Sequence, residues 1–177
     1  MSKITLADIF KLSAETLNAA KAKGVTIAVA ESCTGGLIGA ALTAIEGSSA
    51  CFTGGIIAYD NAVKTKLLGV SPSVIGKYGA VSEKTAQRMA AGAVERLGVD
   101  IAVAVTGIAG PGGGSEDKPV GTVWIGIATR KGDKITTSAA LHNFGDIGRN
   151  KVRDATCYEA LVALTQAIKN ELIVRKE

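Results

Sequence analysis

One short segment of the sequence joins an apolar run typical of a buried β-strand to an apolar run typical of a helix. The strand-like run spans residues 25–30, the helical run begins at Leu37, and between them lies Glu31-Ser32-Cys33-Thr34-Gly35-Gly36. At such a turn, paired glycines and hydroxyl side chains expose backbone N–H groups that attract a phosphate or a developing oxyanion. The simpler alternative is an ordinary helix start, with Ser32 or Thr34 as the N-cap. The segment therefore predicts a strand–turn–helix unit and leaves its ligand open.

The remainder of the chain continues this alternation of apolar strands and helices. Further strands are predicted at 52–59, 101–106, 120–129 and 134–144. Helices are predicted from Thr5 to Gly24, at 35–45, at 61–68, from Ser82 to Gly98 and at 147–174. The last two strands flank Lys131-Gly132-Asp133 and form a predicted hairpin, so they run antiparallel. We expect one domain over residues 1–177, with a layered α/β fold and a mixed sheet.

Composition places the chain among compact globular proteins. Hydrophobic residues make up 47% and charged residues 20% of the 177 residues, which excludes a disordered chain. No apolar run reaches the roughly 20 residues needed to cross a bilayer, and the N-terminus lacks the pattern of a secretory signal. Cys33, Cys51 and Cys157 are odd in number and widely spaced, which favours a reducing cytoplasm and argues against a structural zinc site.

Charge and aromatic content argue against nucleic acid as a partner. The net charge is +4, aromatic residues make up 4% of the chain, and no basic stripe is interleaved with them. A small anionic ligand would account for the few positioned cations, and a solvated surface would account for them better still. The apolar, small-residue composition favours self-association, so a homo-oligomer, a dimer or higher, is also expected.

The residues whose side chains could take part in catalysis or binding follow the predicted strand ends. In open α/β folds, ligands bind beyond the carboxyl ends of parallel strands. Those ends are Glu31-Ser32, Tyr59-Asp60 and Thr106-Gly107, so these residues are expected to converge. Lys64 follows the second of them and could lie over the strand end beside Tyr59. Partial desolvation there would lower the pKa of Lys64 and let it act as a base towards a serine hydroxyl; an ordinary surface lysine is the alternative.

Two further patterns lie in the second half of the chain. The glycine-rich run at 107–114 is predicted to be an ordered loop that lines a ligand site, because its glycines permit close backbone approach. Ser115-Glu116-Asp117-Lys118 matches the S-x-x-K signature of serine–lysine enzymes, whose chemistry needs one helical turn between the two residues. No helix is expected directly before Pro119, so we interpret the match as chance. His142, the single histidine, is interpreted as a surface or capping residue rather than a catalytic base.

Several blocks of the sequence, in order, resemble the C-terminal domain family of CinA, whose stand-alone members are nicotinamide-nucleotide amidohydrolases. The blocks are Ala30 to Gly36, Gly47-Ser48-Ser49, Tyr59 to Lys64, Gly79-Ala80-Val81-Ser82, Thr106 to Pro111 and Lys118 to Val123. The resemblance implies a three-layer α/β/α sandwich with a mixed, mostly parallel sheet. It also implies hydrolysis of the carboxamide of nicotinamide mononucleotide to nicotinate mononucleotide and ammonia. Because His, Cys and paired carboxylate residues are too few for a metal site, this hydrolysis is expected to use no metal, and no cofactor is expected. The alternative is a nucleotide-binding module without turnover, a sensor or scaffold.

The resemblance further implies a serine–lysine mechanism. Lys64 would take the proton of the attacking serine, and Tyr59 would relay or orient that proton. The nucleophile would be Ser32 or Ser49. Ser49 is slightly preferred, because the turn that contains Ser32 also suits an anion.

The implied substrate contacts come from two glycine-containing turns and one cation. They are Thr34, Gly35, Gly36, Thr106, Gly107 and Arg149. Backbone N–H groups of the glycines would hold the oxyanion, and Thr106 and Arg149 would hold the ribose and the phosphate. Family members commonly follow Gly-Asp directly with Arg, whereas this chain has Gly145-Asp146-Ile147-Gly148-Arg149, with two additional residues.

Overall fold

The computed structural model of the chain describes residues 4–170. Its strands are β1 (Ile27–Glu31), β2 (Phe52–Ile57), β3 (Ile101–Gly107), β4 (Thr122–Lys131) and β5 (Lys134–Asn143). Its helices are α1 (Leu6–Lys23), α2 (Leu37–Thr43), α3 (Asn61–Leu68), α4 (Pro72–Tyr78), α5 (Glu83–Leu97) and α6 (Arg149–Asn170). A single 3₁₀ turn, Ser48–Ala50, precedes β2. Within residues 4–170, no helix combines the length and the apolar character that a membrane span requires.

The strands of the described chain form one mixed sheet in the order β2-β1-β3-β4-β5. β1 pairs in parallel with β2 on one side and with β3 on the other. β4 is antiparallel to both β3 and β5, so within this sheet β4 opposes the direction that the other strands share. The predicted α/β architecture with a mixed, mostly parallel sheet is confirmed. The parallel arrangement brings the carboxyl ends of β1, β2 and β3 to one edge.

Helices cover both faces of the sheet and complete the three layers. On one face α1, α2 and α6 pack around large strand side chains such as Ile27 and Ile101. On the other face α3 and α5 pack against small residues such as Ala28 and Ala102. Because side chains alternate along a strand, β1 and β3 present the large residues to one layer and the alanines to the other. The small face lets α5, and with it α3, lie close to the sheet.

The short helix α3 carries Lys64 and is fixed at both ends. Asp60 caps its start by accepting the N–H of Ala62 at 2.7 Å, and Gly69 ends it in the left-handed region at φ 67°. On the buried side, the backbone carbonyl of Leu68 lies directly against Gly92 of α5, where a Cβ atom would overlap the carbonyl oxygen. The position of α3 therefore depends on the missing side chain at residue 92.

Apart from shifts of up to two residues at several strand and helix ends, the predicted secondary structure differs from the observed one at α4 and in the extent of α6. The sequence predicted no element at 69–81, yet α4 forms there with Ser71 as its N-cap and Pro72 at its first position. α4 has no fully buried residue, and only Val74 and Ile75 pack against the core, so its apolar pattern is too short to indicate a helix. α6 begins at Arg149 rather than at residue 147, and its predicted continuation over 171–174 lies outside the described residues.

We expect Gly92→Ala to lower the free energy of unfolding by about 2 kcal/mol, because the added methyl group forces α3 away from α5. Gly76→Ala in the exposed helix α4 is the matched control, since a Cβ there meets nothing within 4 Å. That control should instead raise the free energy of unfolding by about 0.5–1 kcal/mol. Urea unfolding of both variants measures the difference. Similar effects at the two positions would contradict a tight α3–α5 contact.

Candidate active site

A cavity of about 260 Å³ opens at the sheet edge where β1 and β3 end. Ser32, in the turn after β1, and Thr106, near the end of β3, both line it. Two loop segments contribute further lining residues: residues 80–81, which lead into α5, and the glycine-rich loop from Gly107 to Gly113. The residues thus converge at this edge as the sequence predicted, and the glycine-rich loop lines the cavity.

Lys64 lies at this cavity although its side chain is only 2% exposed. Its Nζ donates to the Ser32 Oγ at 3.1 Å, to the Ala58 carbonyl at 2.9 Å and to the Tyr59 carbonyl at 3.0 Å. The contacts follow from the local fold, because α3 starts directly after the end of β2. A residue one turn into α3 therefore lies back over the strand end, as the sequence predicted.

The surroundings of Lys64 suit a proton acceptor. Desolvation by burial lowers the pKa of the Lys64 ammonium, and the nearby Asp60 carboxylate partly opposes this shift. The carbonyls of Ala58 and Tyr59 can only accept hydrogen bonds, so a neutral Lys64 amine keeps its two N–H groups on them. Its lone pair is then directed at the Ser32 hydroxyl. This arrangement can remove a proton from Ser32.

A buried carboxylate fills the turn after β1. Glu31 is 1% exposed. It accepts four hydrogen bonds of 2.6–3.1 Å, from the Thr34 hydroxyl and from the backbone amides of Gly36, Ile38 and Gly39. The amides belong to the first turn of α2, where N–H groups have no partner within the helix. Glu31 thus occupies, from within the chain, the position predicted for a bound anion.

This geometry differs from the substrate-binding role predicted for the turn. The Gly36 amide donates to Glu31, and the Gly35 amide donates to the Ser32 carbonyl at 3.1 Å. Thr34 is fully buried, with its hydroxyl on Glu31. Thr34, Gly35 and Gly36 do not line the cavity. The sequence signal that could have shown this is the acidic residue placed directly before the hydroxyl–glycine turn.

The structure separates the two candidate serines. Ser32 is 8% exposed, lines the cavity and contacts Lys64. Ser49 lies exposed in the 3₁₀ turn that precedes β2, whereas Lys64 follows the opposite end of that strand. The six residues of β2 span roughly 20 Å, so within one chain Ser49 is remote from the amine. The geometry therefore pairs Lys64 with Ser32 and runs against the sequence preference for Ser49.

Tyr59 and Arg149 meet at the mouth of the cavity. The Arg149 Nη2 donates to the Tyr59 Oη at 3.2 Å, and the Nη1 donates to the Gly110 carbonyl at 2.9 Å. Tyr59 is 62% exposed, and the group that contacts Lys64 is its carbonyl rather than its phenol. Despite the two additional residues before it, Arg149 lines the cavity as the first residue of α6.

Thr106 and Gly107 also line the cavity, as predicted. The Thr106 hydroxyl donates to the Ala80 carbonyl at 2.8 Å, so its side chain holds the neighbouring loop in place. At Gly107 a Cβ would lie 2.9 Å from the Thr122 carbonyl oxygen, which explains why this position has no side chain.

Sequence reasoning missed several residues that line the cavity. They are Cys33, Asn61, Ala80 and Val81. Burial, with a smaller contribution from the Glu31 charge, raises the pKa of the Cys33 thiol to about 12. The thiol is therefore protonated near neutral pH. The sequence signal for Ala80 and Val81 was available in the Gly79-Ala80-Val81-Ser82 motif. His142 stacks on Phe144, with ring centroids 5.7 Å apart, and does not line the cavity.

Comparison with known proteins identifies the family. A family model described as the CinA C-terminal domain matches residues 9–168. This chain belongs to the CinA C-terminal domain family. The crystal structure of the competence/damage inducible protein CihA from Agrobacterium tumefaciens has a TM-score of 0.87 to this chain at 44% identity. The match covers 92% of this chain and 96% of that one.

Relatives of this CinA C-terminal domain are of two lengths. It is 49% identical to the nicotinamide-nucleotide amidohydrolase PncC of Enterobacter agglomerans, over 92% of this chain and 97% of that protein. It is 41% identical to the PncC of Escherichia coli K12, over 94% of this chain and 99% of that protein. A CinA-like protein of Synechocystis is 53% identical over 84% of this chain, but the match spans only 35% of that longer protein.

We expect Glu31→Gln to lower the free energy of unfolding by about 2–3 kcal/mol, because an amide cannot accept all four hydrogen bonds of the buried carboxylate. Glu46→Gln, at an exposed position after α2, serves as the control and should change stability by less than about 0.5 kcal/mol. Denaturant titration of the three proteins gives both differences. A Glu31 variant as stable as the control would show that the carboxylate does not organise the turn.

Proposed function

We propose that this chain hydrolyses the carboxamide of nicotinamide mononucleotide to nicotinate mononucleotide and ammonia, by a serine–lysine mechanism without a metal or cofactor. The observation that carries the proposal is the 3.1 Å contact between the Lys64 Nζ and the Ser32 Oγ, two residues that are only 2% and 8% exposed. The PncC relatives, both named as nicotinamide-nucleotide amidohydrolases and matched over nearly their whole length, support the substrate.

In the proposed first step, Ser32 attacks the carboxamide carbon while the neutral Lys64 amine takes the proton from Oγ. The resulting Lys64 ammonium then protonates the nitrogen of the tetrahedral intermediate, and ammonia leaves behind an acyl ester on Ser32. A water molecule attacks this ester and gives its proton to Lys64. Collapse of the second intermediate returns the proton to Ser32 Oγ and releases the nicotinate product.

Oxyanion stabilisation is assigned to the glycine-rich loop rather than to the turn after β1. The amides of Gly35 and Gly36 already have partners within the chain. Gly107, Gly110, Gly112 and Gly113 line the cavity, and because they have no Cβ atoms a substrate can approach their main chain closely. Each well-placed oxyanion donor is worth about 3–4 kcal/mol of transition-state stabilisation.

The charged end of the nucleotide is assigned to the mouth of the cavity. Arg149 lies there at the first turn of the 22-residue helix α6, whose N-terminus favours negative charge. A phosphate could replace the Tyr59 phenol and the Gly110 carbonyl as partners of its guanidinium. Thr106, which still has lone pairs to accept with, is assigned to the ribose.

We also place this protein in the cytoplasm, as a homo-oligomer built from a single domain. Its three cysteines are free and buried, which agrees with a reducing compartment. Leu6 and Phe10, both exposed and one turn apart on α1, form an apolar surface that supports self-association.

Ser32→Ala should abolish ammonia release from nicotinamide mononucleotide, whereas Ser49→Ala should retain at least half of the wild-type kcat. The reason is that Ser32 alone of the two contacts Lys64. Steady-state ammonia release, with circular dichroism to confirm folding, tests both variants. Full activity in the Ser32 variant with loss in the Ser49 variant would reverse the assignment. Tight nucleotide binding by the wild type without any ammonia release would instead indicate a sensor or scaffold.

Lys64→Met should lower kcat by about 10²–10⁴-fold, the usual contribution of a general base, because methionine cannot take the Ser32 proton. Lys66→Met, at an exposed position two residues further along the same helix, is the control and should keep its activity. Circular dichroism confirms folding in both. An active Lys64 variant would remove this residue from the mechanism.

The pH profile offers a separate test of Lys64 as the base. Ammonia release requires the neutral amine, so kcat/KM should rise with pH until Lys64 has lost its proton. The Asp60 carboxylate raises the pKa of Lys64, so Asp60→Asn should move the rising limb to lower pH, while asparagine still caps α3. Asp133→Asn, in the β4–β5 turn, is the charge-matched control. An unshifted limb would assign the titration to another group.

A further inference from the structure

Four consecutive backbone carbonyls beside the cavity accept hydrogen bonds from side chains. They belong to residues 78–81, which connect α4 to α5 and contribute two lining residues. The hydroxyl groups of Ser82, Thr85 and Thr106 donate to the two inner carbonyls at 2.7–2.9 Å. The two outer carbonyls both accept from Lys118. This segment is therefore held in place by the start of α5 and by two side chains from distant parts of the chain, Thr106 and Lys118.

The Lys118 ammonium bridges the two ends of the segment. Its Nζ donates to the Val81 carbonyl at 2.8 Å and to the Tyr78 carbonyl at 3.2 Å. The group lies over Gly79, where a Cβ would stand 3.0 Å from Nζ, so the missing side chain leaves it room. The S-x-x-K match thus has a structural role, because Ser115 Oγ accepts the Lys118 N–H at 3.2 Å and its side chain orders the turn.

Lys118 lies in the connection between β3 and β4, whose glycine-rich part supplies other cavity-lining residues. From here on the glycine-rich loop denotes this whole connection together with Gly107, residues 107–121. Residues 111–117 of this loop are exposed, and its base is closed by backbone hydrogen bonds between Ile108 and residues 121–122. The Lys118–Val81 hydrogen bond joins parts of the chain 37 residues apart. One side chain thereby connects two separate cavity-lining segments.

We propose that Lys118 is a positioning residue that sets the shape of the substrate cavity by fastening the glycine-rich loop to residues 78–81. This inference rests on the proposed amidohydrolase activity. Lys118 does not line the cavity, so it acts on the substrate through the residues that it holds. Without it, the substrate must order the loop on binding, which weakens binding. The Lys64–Ser32 contact, made by other elements, is left intact.

The test compares Lys118→Met, which keeps the chain length but not the donors, with Lys118→Arg, which restores donors for both carbonyls. Lys84→Met is the control, because Lys84 is exposed on α5 and its Nζ contacts only the side chain of Gln87, at 3.4 Å, among the hydrogen bonds seen in the described residues. For Lys118→Met we expect KM for nicotinamide mononucleotide to rise about tenfold with kcat within twofold of wild type. Lys118→Arg should recover most of the KM change.

Hydrogen–deuterium exchange without substrate gives a readout that does not depend on turnover. The amides of residues 109–110 and 112–117 should exchange several-fold faster in Lys118→Met than in the wild type or the control. Unchanged exchange in Lys118→Met would overturn the proposal. It would also be overturned if exchange became faster while KM stayed the same, or if the variant lost activity through kcat alone. If the wild type releases no ammonia, the proposed function fails, while the exchange comparison still decides whether Lys118 orders the loop.

Discussion

A lysine side chain that is almost completely withdrawn from water must find acceptors for all of its N–H groups, and this requirement organises the site. The acceptors of Lys64 come from the end of β2 and from the turn after β1. They are in place only because α3 starts directly after β2 and packs tightly on α5 through Gly92. The contact between Gly92 and the Leu68 carbonyl therefore helps to set the geometry of the cavity, although neither residue lines it.

Ser32 lies between two buried charged groups that are satisfied separately. Glu31 precedes it and is bound by the first turn of α2, while Lys64 contacts its hydroxyl from the cavity side. The carboxylate fixes the main chain of the turn, and the amine fixes the side chain. A serine whose main chain and hydroxyl are both held in place has little freedom to lose on reaching a reactive geometry, which is the advantage of a preorganised site.

The features that could be predicted from the sequence are those encoded by local pattern. Strand and helix alternation gave the layers, and the short link between β2 and α3 placed Lys64 over the strand end. The order of the residues along the chain also argued against Ser49. Ser49 precedes β2 and Lys64 follows it, so the two residues lie at opposite ends of this strand. Contacts between a side chain and a distant carbonyl, such as that of Lys118 with Val81, have no local signature.

The cations around the cavity share one property that bears on the ligand. Lys118, Arg149 and Arg153 all donate to backbone carbonyls, with Arg153 reaching the Thr34 carbonyl at 2.9 Å. A carbonyl carries no net charge, so these contacts orient the side chains without neutralising them. Pairing each cation with a carboxylate would have cancelled the field at the cavity mouth. Carbonyl anchoring leaves the positive charge of Arg149 at the cavity mouth. In the proposed reaction this charge would attract the anionic nucleotide, while the buried Lys64 amine would act as the base.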